Sequence, residues 1–232
     1  MRKKLLLLSI AVLCLGSLAS ADTYVTTGSR GPFTADFIDW SQLGAPGNFV
    51  STPALVFSFL GTNAALVGNA NGGDFLTMQE GVTWLGNFDY GENLVWTGNP
   101  AFGVGGGGPF IIELLNPVGG IGFGIQADLY GPFTALVSIY DSNLNFQTNL
   151  VFSGVSSGLE NGSNLFIGIQ DTTAVNIGAI VIDSFSGGYP WDHDFALDAV
   201  SFNYTTPEPG TMVLLGSGLL GAAGLIRRKL GR

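Results

Sequence analysis

The stretch Ile121-Gly122-Phe123-Gly124-Ile125-Gln126-Ala127-Asp128 decides the class of fold. Ile121, Phe123, Ile125 and Ala127 alternate with Gly122, Gly124, Gln126 and Asp128, the two-residue period of a strand with one buried face. Working outward, a Tyr130-Gly131-Pro132 turn leads to a second strand over 133–141. Asp141-Ser142-Asn143-Leu144-Asn145 has turn chemistry and precedes a third at 146–152. Asn161-Gly162 marks a further turn. Later strands are expected at 164–170, 175–183 and 195–204, and earlier ones at 54–60, 82–88, 94–97 and 110–115. No part of 22–206 has convincing helical periodicity. Many short strands in a chain with 36 glycines and 12% aromatic residues predict an all-β fold, a single β-sandwich or jelly-roll-like domain.

Charge is distributed unevenly. The basic residues are Arg2, Lys3, Lys4, Arg30, Arg227, Arg228, Lys229 and Arg232, so Arg30 is the only internal one. Sixteen Asp and Glu residues lie between 22 and 206, which gives the domain about fifteen excess negative charges behind a whole-chain value of -9. With so few cations to neutralise phosphates, nucleic acid is excluded as an expected partner, and anionic lipid is a poor one.

The two ends read as export signals. Arg2-Lys3-Lys4 precedes an apolar run over 5–18 and then Ala19-Ser20-Ala21, a small-x-small signal peptidase site. A run of about 14 residues is short for a bilayer core of ~30 Å, so 1–21 is expected to be a cleaved signal peptide. Cleavage after Ala21 removes Cys14, the only cysteine, and leaves a chain without disulfides or thiol chemistry. At the other end, Pro207-Glu208-Pro209 is followed by a glycine-rich apolar stretch over 212–226 and by Arg227-Arg228-Lys229. Two prolines hold the first part extended. The apolar stretch forms a short transmembrane helix reaching about 22 to 26 Å, and the basic cluster stays cytoplasmic, leaving the acidic domain outside.

This ordered triple resembles the PEP-CTERM sorting domain of exported bacterial proteins. The resemblance covers 207–232. It implies that an exosortase reads Pro207, Glu208 and Pro209, with Arg227, Arg228 and Lys229 completing the signal, and cleaves nearby. The expected organisation is signal peptide 1–21, extracellular β-sandwich domain 22–206 and sorting tail 207–232. The implied route passes through the inner membrane, with the domain outside, to the cell envelope, surface or extracellular matrix. Asp39-Trp40-Ser41-Gln42-Leu43-Gly44, Phe166-Ile167-Gly168-Ile169 and the segment from Asp194 to Phe202 also resemble the β-sandwich bodies common in PEP-CTERM proteins.

Catalytic chemistry has weak support. His193 is the only histidine, and no Gly-x-Ser-x-Gly elbow supplies a nucleophile. Glu80, Glu92, Glu113 and Glu160 are available for a two-carboxylate glycosidase, but acids on so acidic a domain are usually solvated. Asp192, Asp194 and Asp198 form the densest acid group and offer oxygen ligands to Ca2+; the alternative is that they cap a loop and face solvent. Asp141, Asn143 and Asn145 mimic the opening of an EF-hand loop, which then fails at Phe146 and Phe152. Gly103-Val104-Gly105-Gly106-Gly107-Gly108-Pro109 lacks the Lys-Ser/Thr of a phosphate loop and reads as a flexible loop. Trp40, Trp84, Trp96 and Trp191 suit stacking on sugar rings or core packing.

The expectation is therefore an exported surface or matrix protein, non-enzymatic and without an obligate cofactor. Signal peptidase and exosortase are its processing partners, and exopolysaccharide or other envelope proteins its ligands. The alternatives are an extracellular glycan-active enzyme and a calcium-stabilised structural module.

Overall fold

The structure, a computed structural model, describes residues 23–99, 103–186 and 193–204. Its strands are β1 (Tyr24–Thr27), β2 (Asp36–Ile38), β3 (Phe49–Val50), β4 (Ala54–Phe57), β5 (Ala64–Asn69), β6 (Phe75–Gln79), β7 (Asn93–Trp96), β8 (Gly98–Asn99), β9 (Val104–Gly105), β10 (Phe110–Val118), β11 (Gly120–Ala127), β12 (Gly131–Asp141), β13 (Phe146–Ser156), β14 (Leu165–Asp171), β15 (Ile177–Ser186), β16 (Phe195–Leu197) and β17 (Val200–Asn203). One sheet, A, runs β1-β14-β11-β16-β7-β6-β3, with β17 paired to both β11 and β2. The other, B, runs β13-β12-β15-β10-β5-β4, and β8 pairs with β9 apart from both. From β10 onward the chain passes back and forth between the sheets, the jelly-roll-like sandwich expected from the strand pattern.

Alternation explains the core. Ile121, Phe123 and Ile125 of β11 and Ile167 and Ile169 of β14 face Phe110 and Ile112 of β10, Val137 and Ile139 of β12, and Ile180 and Ile182 of β15, all in one buried cluster. Each such side chain contributes roughly 1.5–3 kcal/mol by leaving water. Trp40 joins them edge-on to Phe110, with ring centroids 6.5 Å apart.

The other face of β11, expected to be solvated, is buried as well. Glycines are the cause. Phe33 and Phe166, with centroids 6.0 Å apart, lie over the outer face of sheet A at Gly120 and Gly122. A Cβ on Gly122 would fall 2.7 Å from Phe166 Cζ and 3.0 Å from Phe33 Cγ. Beside them Arg30 pairs with Asp198, approaches Glu92 at 4.0 Å, and stands 5.1 Å over the Phe166 ring. Asp198 is fully buried and also accepts from the Gly124 backbone N–H. Burial pushes its carboxyl up, and Arg30 and Gly124 pull the other way. The sole internal cation thus ties the segment after β1 to the sheet.

Several boundaries differ from the sequence reading. The strand expected at 195–204 breaks into β16 and β17, because the Asp198 carboxylate itself accepts from Gly124 while the Asp198 N–H donates to Gly124 O at 3.1 Å. Residues 82–88 form no strand: the N–H groups of Val82, Thr83 and Trp84 all donate to Gln79 O, curling the chain back over sheet A. Gly103–Pro109 region donors are likewise engaged, Gly106 with Asp74 O, Gly107 with Thr97 O and Gly108 with His193 O, so its glycines serve close backbone packing rather than looseness. β1, β2, β3, β5, β6, β8 and β9 have no counterpart among the strands expected from the sequence.

The segment around Trp40 closes an edge. Asp39 Oδ1 accepts from Ser41 N at 2.7 Å and starts a 3-10 turn over Trp40–Leu43. Gln42 then donates to Phe57 O at 2.9 Å and accepts from Phe57 N at 2.8 Å, occupying the outer backbone groups of β4 there. Trp40 Nε1 donates to Asp198 O at 2.7 Å. The expected signal peptide with Ala19 and Ala21, the sorting tail from Pro207 to Lys229, Trp191 and Asp192 lie outside the described residues.

Candidate functional site

The curled segment after β6 makes a cleft. Glu80 is buried, and its Oε1 accepts from Gly86 N at 2.7 Å, closing the loop that presents Trp84 and Leu85. Burial pushes the Glu80 carboxyl up. Trp84, Phe88, Leu94 and Ala196 form a second small core on this loop, with Met78 and Trp96 packed against it. From the opposite side, the β11–β12 turn brings Asp128, Leu129 and Tyr130, and Tyr130 donates to Leu85 O at 2.7 Å. Gln126 braces the floor, accepting from Asn87 N at 2.5 Å and donating to Ser157 O at 3.0 Å.

The open cleft has a volume of ≈ 480 Å³ and is lined by Met78, Thr83, Trp84, Leu85 and Trp96 on one wall and by Asp128, Leu129 and Tyr130 on the other. Trp84 and Trp96 stand 6.0 Å apart at 54°, and their indole N–H groups find no acceptor among the described residues. Flat apolar surface with a few polar groups is what a pyranose face needs. A second depression, lined in part by Asn87, Ser157 and Ser163, differs: Asn87 donates to Ser157 Oγ at 2.9 Å and Ser163 Oγ at 2.7 Å, so these polar groups satisfy one another.

The candidates from the sequence are dispersed. Trp40 is core, whereas Trp84 and Trp96 reach the cleft. Glu80 and Glu92 adjoin through Glu80 N to Glu92 O at 3.0 Å, Glu160 is tied to Gly86 O at 2.7 Å, and Glu113 lies on sheet B. None of the four is among the described residues lining the cleft. Asp198 is engaged by Arg30, and Asp194, at the other end of β16, accepts from Asn99 at 2.6 Å. Among the described residues no group of three His, Cys, Asp or Glu is assembled that could hold a metal ion. Asp141 accepts from the N–H groups of Asn143 and Asn145 and the side-chain amides of Asn145 and Gln147, a turn clasp; the Asn145 amide foremost holds its carboxyl below the ordinary value. His193 Nδ1 lies 2.8 Å from Asp183 Oδ1, with its ring edge-on to Phe185. Sequence reasoning missed Tyr130, which reads as a turn residue, and Met78 and Asp128. Only the aromatic content around 130 gave a signal.

The model of the PEP-CTERM protein-sorting motif matches residues 205–229. The chain thus carries the sorting signal of an exported protein that transits the membrane and is processed by an exosortase. No curated protein matches it. Among solved structures, it is similar to a DUF4465 family protein from Bacteroides caccae at 10% identity, covering 78% of this chain and 100% of that one, with a TM-score of 0.39. It is also similar to the family 11 carbohydrate-binding module of a cellulosomal cellulase from Clostridium thermocellum, at 12% identity, covering 73% and 93%, with a TM-score of 0.30. The enzymatically active domain of tailspike protein 4 of Bacteriophage CBA120 shares 10% identity, covering 80% of this chain and 20% of that one, with a TM-score of 0.28. These are likenesses of fold.

Proposed function

From a chain that carries a PEP-CTERM sorting motif, we propose a non-enzymatic binding module of the cell surface or extracellular matrix, which holds a neutral polysaccharide strand in the Trp84, Trp96 and Tyr130 cleft. The observation that carries the reading is the convergence of three aromatic side chains, Trp84, Trp96 and Tyr130, on one cleft. The aromatic surface that lines the cleft would cover the sugar's apolar face. The excess negative charge of the domain favours neutral over anionic polymers. Asp128 is the only carboxylate among the described residues lining the cleft, whereas glycoside hydrolysis needs two, which favours binding over turnover.

The processed protein is expected to be retained on the organism's own exopolysaccharide, and Trp96→Ala or Tyr130→Ala to weaken retention about tenfold or more. Tyr130 is exposed, so its replacement leaves the core intact. Retention no better than that of an unrelated acidic β protein, or unchanged in both variants, would sink the reading. Sorting has a separate test. Changing Pro207, Glu208 and Pro209 to alanine should leave the full-length chain in the inner membrane, and processing at the normal rate would refute recognition of the triplet.

A further inference from the structure

The cleft lies at the end of the sandwich where β11 finishes, at Ala127. The chain leaves toward its tail from the opposite end. There Gly120 of β11 pairs with Asn203 of β17, and Tyr204, the last residue described before the tail, places its hydroxyl 2.8 Å from Thr62 Oγ1 in the β4–β5 hairpin. That hairpin has an unusual tip. Where a turn normally exposes polar residues, it exposes Phe59, 73% accessible, and Leu60, 61% accessible. Phe59 stacks on the exposed Phe37 of β2 at 5.2 Å. The β12–β13 turn reaches the same end, since Asp141 and Val118 both pair with Ile177, and its tip is the exposed Leu144.

Among the described residues, three carboxylates at this end are withdrawn from solvent. Asp36, Asp141 and Asp171 are all buried. Asp36 accepts from Leu60 N and Phe37 N, both at 2.9 Å, from Thr62 Oγ1 at 2.5 Å and from Tyr204 OH at 3.4 Å, locking the apolar tip to the point of exit. Burial works against its charge, and the hydrogen bonds from Ser58, Thr62, Leu60 and Phe37 outweigh it, holding the carboxyl below its ordinary value. On a domain with sixteen acids against one Arg, this end shows a lipid surface apolar tips whose neighbouring carboxylates are covered.

Only residues 205–211 separate Tyr204 from the apolar stretch at 212–226, a span of at most about 25 Å even when fully extended. We infer that, before exosortase cleavage, this end of the sandwich rests on the outer surface of the membrane, with Phe59 and Leu60 entering the boundary between headgroups and acyl chains. Aromatic and aliphatic side chains favour that boundary. The inference rests on retention of the tail in the membrane and is independent of what the cleft binds. It assigns the two ends of the domain opposite duties, with the cleft turned away from the lipid.

The test uses the chain from Asp22 to Arg232, the form expected before exosortase cleavage, which has no native thiol because Cys14 lies in the removed segment. A fluorophore is attached at Leu60→Cys, or at the exposed Leu159→Cys of the cleft end, and the protein is reconstituted into phosphatidylcholine vesicles containing a lipid nitroxide near the headgroup. Position 60 is expected to be quenched severalfold more than position 159, and adding Phe59→Ser should remove most of the difference. Equal, weak quenching of both on vesicle-bound protein overturns the inference. A dry but unquenched label at 60 overturns it in favour of a protein contact, such as a second copy. A chain that fails to stay with the vesicles overturns the membrane role of the tail, and the inference with it.

Discussion

Replacing Arg30 with methionine should lower the melting temperature by about 10 °C near neutral pH, the effect of about 3–5 kcal/mol for stranding a buried charge in a domain of this size. Arg30 is partly exposed, but its partner Asp198 is not, and no other cation lies within the domain to replace it. The loss should depend on pH. Burial already raises the Asp198 carboxyl, and Arg30 is the largest influence opposing that rise. Glu92 beside it is raised too, by burial and then by the Asp198 charge. A carboxyl whose folded pKa exceeds its unfolded one contributes most below the unfolded value, and that contribution fades as pH rises through the folded value. Without Arg30 the gap widens, so the variant should approach wild type as pH falls toward about 4 and diverge above the raised value. Thermal melts of both proteins across this range decide it, and a deficit that is absent or constant with pH would count against the assigned role.

The second large effect concerns the glycine-lined face of sheet A. Phe33→Ala is expected to lose about 3–5 kcal/mol, although Phe33 lies in a connection rather than a strand, because it is buried across the sheet. Gly122→Val is expected to lose about 1–3 kcal/mol by forcing Phe33 and Phe166 off the sheet. Together the two changes should lose less than their sum, since the new valine fills part of the space the ring vacates. Strict additivity in denaturant melts, or a Phe33→Ala effect as small as that of an ordinary surface loop, would show that the ring does not bear on these glycines.

One face of β11 is legible in the sequence and the other is not. Ile121, Phe123, Ile125 and Ala127 face the core, as their alternation requires, because the pleat enforces a period of two. The glycines between them read as the exposed face. Nothing local says that an aromatic residue nearly ninety positions earlier will cover them. Arg30 stood out as the lone internal cation, but its pairing with Asp198 depends on β17 and β16 meeting β11, which is a property of topology. Val82 and Trp84 alternate like strand residues, yet Gln79 O gathers three successive N–H groups and the segment becomes a cleft wall instead. Likewise the four tryptophans are alike in sequence. Trp40 is drawn into the core beside a capping aspartate, whereas Trp84 and Trp96 meet on the outer face of sheet A. Tyr130 could be read only as a turn until the loop it touches was placed.

The amide of Gln42 has a consequence for assembly at high surface density. Sheet B has two margins. At β4 the margin is interrupted by Pro53 at its start, by Gln42 at Phe57, and by Phe37 O, which accepts from Phe59 N at 2.7 Å. At β13 it is an eleven-residue strand without a charged side chain. A neighbour adding across β13 would complete a two-fold pair, and each member of that pair would then offer only the obstructed β4 margin of the same sheet. Strand addition through sheet B therefore terminates at two copies, and a crowded layer of these domains is barred from growing into a fibre along that sheet.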